Sequence, residues 1–136
     1  MALDTCHEQV VRALQKEGLR VDQKPLRIIV GSRQVYIDIR AMRGTNGSQQ
    51  PILLVEVKCF PNRKSTTEDL YGAIGQYIVY RAMLMEIENA VPLYLAIPED
   101  IFTAIIDSPI QRALRDTSIK LVIVNLETET VTTWME

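Results

Sequence analysis

The chain has 136 residues, 47% of them hydrophobic, and its 15 basic and 17 acidic side chains give a formal net charge of −2. This length predicts one domain over residues 1–136 with a sizeable core. The chain contains no run of about 18 apolar residues, so the sequence does not predict a membrane span. The slight acidity argues against a protein that coats nucleic acid. It does not argue against a nuclease, because metal-binding carboxylates add negative charge.

The first predicted element is a helix over residues 4–17. Asp4 is a candidate N-cap, apolar residues recur after it at helical spacing, and Gly18 follows as a stop signal. His7 falls on the apolar stripe, so we expect it to point inward.

Three strands are predicted next, separated by polar segments. Their apolar residues run over 26–30, 34–42 and 52–60, with a Gly-rich polar loop over 44–51. The third run is apolar on both faces, which predicts a central strand in a sheet that is covered on both sides.

The second half of the chain alternates helices with strands. We expect a long helix, a strand, two short helices and two final strands, over residues 67–89, 93–97, 99–106, 109–116, 119–125 and 129–135. Short connections favour antiparallel pairing of the first strands, and the long helix favours a crossover to the next strand. The predicted fold class is α/β, a mixed β-sheet flanked by helices.

The two cysteines, Cys6 and Cys59, follow no CxxC pattern and have no metal-ligand spacing. We therefore expect two reduced thiols, buried as small apolar side chains, in a cytoplasmic protein. The charged side chains within residues 1–16 are not typical of a secretory signal.

Three charged side chains stand inside the predicted apolar strands. Asp38 lies in the second strand, while Glu56 and Lys58 lie two residues apart in the third and so share a face. Charges are costly in a buried strand unless they are paired or bind a metal. An ordinary salt bridge between Glu56 and Lys58 on a half-exposed strand is the alternative to a functional site.

The functional interpretation is a phosphodiester-cleaving site that uses Mg²⁺ or Mn²⁺. Such a site needs hard oxygen ligands, a water activated by the metal, and a cation near the developing negative charge. Asp38, Glu56 and the carbonyl of Val57 are the candidate metal ligands. Lys58 is the candidate cation.

The long helix adds two further candidates. Gln76 and Tyr80 are four residues apart and share a face, so a glutamine could hold the water or a phosphate oxygen while the tyrosine braces it. Gly72 and Gly75 lie in mid-helix, where glycine costs about 1 kcal/mol relative to alanine, which suggests a close approach to a strand or to substrate. The alternative is that all four are ordinary surface or packing positions.

These residues resemble known nuclease motifs. Asp38 followed by Glu56-x-Lys58 is similar to the D…(E/D)xK pattern of restriction-endonuclease-like nucleases, and Gln76-x-x-x-Tyr80 is similar to the QxxxY extension of their RecB-like branch. The chain resembles most closely the XisH-like fdxN-element excision controlling factors of cyanobacteria. The segments that carry this resemblance are Asp4-x-x-His7-x-x-Val10, Gly18, Pro25-Leu26, Ile37-Asp38, Val55-Glu56-Val57-Lys58-x-Phe60, Ala73-x-Gly75-Gln76-x-x-x-Tyr80 and Leu93-Tyr94-Leu95-Ala96-x-Pro98.

The resemblance covers most of the chain and departs from the family pattern at two positions. Leu19 stands where the family often has Trp, and Cys59 stands where Ser is usual. The resemblance implies a restriction-endonuclease-like α-β-β-β-α-β core, a role in excision of a DNA element, and a partner protein of the XisI type. A homodimer is a further expectation, since this fold often cuts two strands as a dimer.

Four more residues are candidates near the site. In nuclease relatives an acidic residue of the first helix often lies near the metal, and Asp4 and His7 are the accessory candidates here. A core-edge histidine bonded to a backbone carbonyl is the alternative for His7. Arg63 and Lys64 are candidates for contacting phosphate at the mouth of the site, unless they belong to an ordinary solvated loop.

Two functions from different classes therefore compete. The first is a metal-dependent DNA endonuclease in which Asp38, Glu56, Lys58, Gln76 and Tyr80 form the catalytic set. The second is a non-catalytic regulator that keeps the fold and binds DNA or a partner protein, a reading that the acidic composition favours. Nothing in the sequence separates DNA from RNA as the nucleic acid.

Overall fold

The computed structural model describes residues 5–43 and 50–136. Its elements, in chain order, are α1 (His7–Lys16), β1 (Leu19–Asp22), β2 (Leu26–Val30), β3 (Arg33–Ile37), β4 (Ile39–Arg43), β5 (Pro51–Val57), α2 (Thr66–Glu86), β6 (Leu93–Pro98), α3 (Glu99–Ile105), α4 (Ser108–Asp116), β7 (Lys120–Asn125) and β8 (Thr130–Met135). No helix within these ranges is long and apolar enough to cross a bilayer.

Six of the strands form one mixed sheet, in the order β1-β4-β5-β6-β7-β8. The strands β5, β6 and β7 run parallel, and the pairs β1–β4, β4–β5 and β7–β8 are antiparallel. The remaining strands, β2 and β3, form a separate antiparallel hairpin. The predicted mixed sheet is confirmed, and so is the central position of β5.

Helices cover both faces of the sheet, as predicted. On one face, apolar residues of α1 such as Leu14 pack with Val55 and Val57 of β5. On the other face, buried residues of α2, α3, α4 and the hairpin pack with Leu54 of β5 and with alternate residues of β6 and β7. Because successive side chains of a strand point to opposite faces, β5 divides the interior into two cores.

The strand predicted over residues 34–42 is in fact two strands, interrupted at Asp38. The chain leaves the hairpin at Ile37 and enters the main sheet at Ile39, so each half pairs with a different partner. The strand β1 was not predicted, because its four residues, although they alternate apolar and polar side chains, make too short a run to stand out directly after the helix stop at Gly18. Most of the predicted loop over 44–51 lies outside the described residues.

The helix ends differ slightly from their predicted positions. The described part of α1 begins at His7, with Cys6 as N-cap and no side-chain cap hydrogen bond, while Asp4 lies outside the described residues. Gly18 adopts a φ of 86°, which confirms it as the stop after this helix. The long helix α2 ends before residue 89 because Glu88 takes a φ of 57° and turns the chain.

The expectation of two reduced thiols is wrong, because Cys6 and Cys59 form a disulfide. Both side chains are buried, as predicted, at 3% and 4% exposure. The fold places Cys6, directly before α1, against Cys59, two residues past the end of β5, and the backbone N–H of Cys6 also donates to the sulfur of Cys59. The two residues are 53 positions apart, so no local pattern reveals their proximity.

We expect denatured but unreduced protein to resist alkylation by iodoacetamide at both cysteines. Reduction should lower the free energy of unfolding by about 2–4 kcal/mol, because a cross-link across 53 residues restricts the unfolded chain. Mass spectrometry and urea unfolding with and without dithiothreitol measure both effects. A Cys6→Ser/Cys59→Ser protein is the control and should not respond to reductant. Alkylation of both cysteines without reduction would contradict the pairing.

Candidate active site

One pocket of about 300 Å³ lies where β5 ends, beside the break between β3 and β4 and against α2. The side chains that line it come from three parts of the chain and are Gln34, Val35, Tyr36, Asp38, Glu56, Lys58, Gln76 and Tyr80. The fold thus brings all five predicted catalytic residues to one place. Their roles in catalysis stay predictions.

The two carboxylates face each other because of the strand register. Ile39 pairs with Val55, so the next antiparallel position sets Asp38 opposite Glu56 with both side chains on one face. Asp38 accepts a hydrogen bond from the N–H of Val57 at 2.8 Å, and its own N–H donates to Glu56 at 3.4 Å. These reciprocal bonds hold both carboxylates in place at 9% and 6% exposure.

Burial and mutual repulsion make this pair electrostatically unfavourable on its own. Burial raises the pKa of Glu56, and the charge of Asp38 raises it further, while Lys58 acts in the opposite direction. The ammonium of Lys58 lies 3.9 Å from a carboxylate oxygen of Glu56 and is 30% exposed. The single positive charge of this partly hydrated ammonium does not neutralise the two buried carboxylates, so a further cation would stabilise the pocket.

The donor set fits a hard divalent cation. Within the described residues no three His, Cys, Asp or Glu side chains cluster as metal ligands, so an ion here would take Asp38, Glu56, backbone oxygen and water. The N–H of Val57 faces Asp38, and its carbonyl lies along the same edge of the strand. Mg²⁺ prefers few carboxylates and keeps several waters, which matches this set.

An unsatisfied acceptor supports the same interpretation. The side-chain N–H of Gln76 donates to the hydroxyl of Tyr80 at 2.8 Å, which fixes the amide. Its carbonyl oxygen is buried and accepts no hydrogen bond from any described residue. A water held by an ion in the pocket would supply the missing donor. Burial and then the charge of Glu56 raise the pKa of Tyr80, so its phenol stays protonated.

The glycines of α2 do not make the close approach that their position suggested. A side-chain methyl built on Gly72 or Gly75 would meet no atom within 4 Å. The small residue that does pack against the core is Ala73, at 3% exposure. The helix therefore approaches the sheet through Ala73, and both glycines face open space.

Some of the predicted site residues do not line this pocket. His7 is the first residue of α1 and is buried at 2% exposure, and neither ring nitrogen bonds to a described residue, so the carbonyl partner of the alternative interpretation is not found among these residues. Arg63 pairs with Asp100 at 3.1 Å on the surface, and the exposed side chain of Lys64 lies in the same loop. Asp4 lies outside the described residues.

Three of the residues that line the pocket were not predicted as site residues: Gln34, Val35 and Tyr36. A signal for two of them was present, because Gln34, Tyr36 and Asp38 are spaced by two and share a face in extended chain. Only Asp38 of this segment was predicted as a site residue. The separate hairpin, which turns these side chains toward the pocket, was not foreseeable from spacing.

Comparison with known proteins gives one family and several similar solved structures, two of which follow. The family described as XisH protein matches residues 1–132. An XisH family protein from Nostoc punctiforme PCC 73102 is 29% identical, with a TM-score of 0.85 over 98% of this chain and 100% of the other. A fdxN element excision controlling factor protein from Anabaena variabilis is also 29% identical, with a TM-score of 0.84 over the same shares. No curated protein matches the chain significantly.

We expect Mn²⁺ or Mg²⁺ to raise the melting temperature of the metal-free protein, because the ion binds only the folded carboxylate pair. At about 100 times its Kd the ion should add about 2.7 kcal/mol. Glu56→Gln should remove most of this metal-dependent gain, as followed by differential scanning fluorimetry. Glu127→Gln, which removes an exposed carboxylate outside the pocket, is the matched control and should keep the gain. An equal response of both variants would exclude the pocket as the metal site.

Proposed function

The chain belongs to the XisH family, and we propose that it is a Mg²⁺- or Mn²⁺-dependent endonuclease that acts in the excision of a DNA element. The observation that carries the proposal is the convergence of Asp38, Glu56 and Lys58 on one pocket beside Gln76. The solved relative from Anabaena variabilis is described as a fdxN element excision controlling factor, which supports the link to excision.

The order of elements supports a restriction-endonuclease-like core as part of this proposal. If the hairpin is set aside, the chain runs through α1, β1, β4, β5, α2 and β6. That path has the α-β-β-β-α-β order that the resemblance implies. Asp38 then stands at the start of the second core strand, and Glu56 and Lys58 stand at the end of the third.

The proposed chemistry divides among the residues of the pocket. Asp38 and Glu56 would hold the ion, with the carbonyl of Val57 on the same strand edge. When bound, the ion would lower the pKa of a coordinated water and stabilise negative charge on the phosphate. The backbone of Lys58 is held by its N–H, which donates to the carbonyl of Ala96 at 3.0 Å and continues the parallel ladder past β5. Its ammonium lies 3.9 Å from Glu56, where it would orient the water and offset negative charge on the phosphate.

Gln76 and Tyr80 position the attacking water in this scheme. The amide oxygen of Gln76 would accept a hydrogen bond from the water, and the hydroxyl of Tyr80 keeps the amide from rotating. Neither residue needs to change its ionisation during the reaction. Their contribution is orientation, which lowers the entropy that must be lost on the way to the transition state.

A second candidate function is a non-catalytic regulator of excision that binds DNA or a partner protein of the XisI type. The net charge of −2 favours it, and so does the word "controlling" in the description of the solved relative. In this case the carboxylate pair serves to bind a structural ion, and cleavage belongs to another protein.

We expect the purified protein to nick supercoiled plasmid in the presence of Mn²⁺. Lys58→Ala should lower the nicking rate by about 10²-fold or more, because the only cation beside the carboxylates in the described pocket is removed. Agarose-gel analysis of a time course measures the rate. Lys16→Ala, which removes an exposed lysine at the end of α1 that does not line the pocket, is the control and should nick at the wild-type rate.

Two results would count against the endonuclease. Nicking that survives Lys58→Ala would point to a contaminating nuclease or to another site. No nicking of plasmid, branched DNA or RNA, with a metal-dependent melting shift intact, would favour the regulator.

A further inference from the structure

The hairpin of β2 and β3 has one buried face and one exposed face. Its inward residues, Ile28 and Ile37 among them, pack into the core beneath α2. The alternate residues point outward and form what we call the hairpin face, which consists of Arg27, Ile29, Gln34 and Tyr36. This face continues into the pocket, because Gln34 and Tyr36 also line it.

The segment that carries the hairpin face has a charge unlike the rest of the chain. Residues 23–37 contain three cationic side chains, Lys24, Arg27 and Arg33, and no acidic one, in a protein of net charge −2. Both arginines are exposed. None of the three forms an ion pair with another residue in the ranges that the structure describes. Their charge is therefore available to an anionic ligand.

The aromatic ring of Tyr36 is partly exposed at the rim of the pocket. Its side chain is 37% exposed although its strand neighbours are packed. The side-chain N–H of Gln34 donates to its hydroxyl at 2.9 Å, which holds the ring in one orientation. Arg27 lies directly across the hairpin from Tyr36, so a cation and an aromatic ring stand side by side on one face.

We propose that the hairpin face binds a single strand of nucleic acid, with an unpaired base stacked on Tyr36 and a flanking phosphate at Arg27. An aromatic ring beside arginines is the usual combination for binding a strand without base pairing, because every base has a flat face and every linkage a charge. A base inside an intact duplex is stacked on both sides and cannot reach the ring.

The strand-binding hairpin face also indicates which DNA the proposed endonuclease would cut, and this part of the inference rests on the proposed function. A base held on Tyr36 places the adjoining phosphate over the carboxylates, since Tyr36 and Asp38 line the same pocket. The preferred substrate class is then DNA with unpaired bases near the cut, such as a branch, a bulge or a displaced strand. The alternative ligand for the hairpin face is a protein that covers Ile29 and Tyr36.

The test measures binding separately from cleavage. The full-length Lys58→Ala protein is titrated in Mg²⁺ against a fluorescein-labelled single strand and against a duplex of the same sequence, with anisotropy as the readout. We expect tighter binding of the single strand. Adding Tyr36→Ala or Tyr36→Leu should weaken it at least about five-fold through loss of the stacked base, whereas Tyr36→Phe should keep most of the affinity. Tyr71→Ala is the matched control, because Tyr71 is 60% exposed and does not line the pocket.

A second set of variants tests the phosphate contacts. Arg27→Gln should reduce the slope of log affinity against log salt by about 0.7, the value for one phosphate contact on a single strand. Arg112→Gln removes an arginine from the exposed side of α4 and should leave the slope unchanged. The melting temperature of each variant shows that the fold is intact.

The outcomes separate this inference from the endonuclease. Wild-type affinity in both Tyr36→Ala and Tyr36→Leu, or no preference for the single strand, overturns the inference even if Mn²⁺-dependent nicking is found. If the protein binds no single strand at all, the inference is also overturned, and a protein becomes the favoured ligand of the hairpin face. If binding depends on Tyr36 but the wild-type protein does not nick DNA, the inference is supported and the proposed endonuclease activity is excluded.

Discussion

The hydrogen bond from the N–H of Val57 to the carboxylate of Asp38 organises the centre of this protein. In an unbroken antiparallel ladder that N–H would find a backbone carbonyl. Here a side chain takes it, and the strand that carries Asp38 is released from the sheet at that residue. The strand register sets Asp38 opposite Glu56, and this bond, with the one from the N–H of Asp38 to Glu56, holds the two buried carboxylates in place.

The central strand β5 serves both faces of the sheet through simple alternation. Val55, Val57 and Cys59 point toward α1, where the disulfide anchors the end of the strand. Leu54, Glu56 and Lys58 point the other way, toward α2 and the pocket. A rigid apolar layer therefore lies directly behind the charged one. This arrangement lets the protein hold costly charges in fixed positions without relying on a flexible loop.

The sequence predicted those parts of the structure that depend on local pattern. The strand over residues 26–30, the long helix and the short helices near α3 and α4 follow from periodicity and from Gly or Pro at their ends. The catalytic candidates were also predictable, since a charge within an apolar run is conspicuous. The break at Asp38, the disulfide and the contribution of Tyr36 to the pocket were not, because each depends on which distant segments the fold brings together.

The hairpin leaves and rejoins the main sheet at almost the same point. Asp22, at the end of β1, pairs with Arg40 in the strand register, and their side chains form an ion pair at 2.8 Å. The 15 residues between Asp22 and Asp38 thus form an insertion whose two ends are clamped together. Such a segment can lengthen, shorten or change its outward side chains while the sheet and the carboxylates stay where they are. Evolution can thereby change the exposed side chains of the hairpin without moving the carboxylate pair.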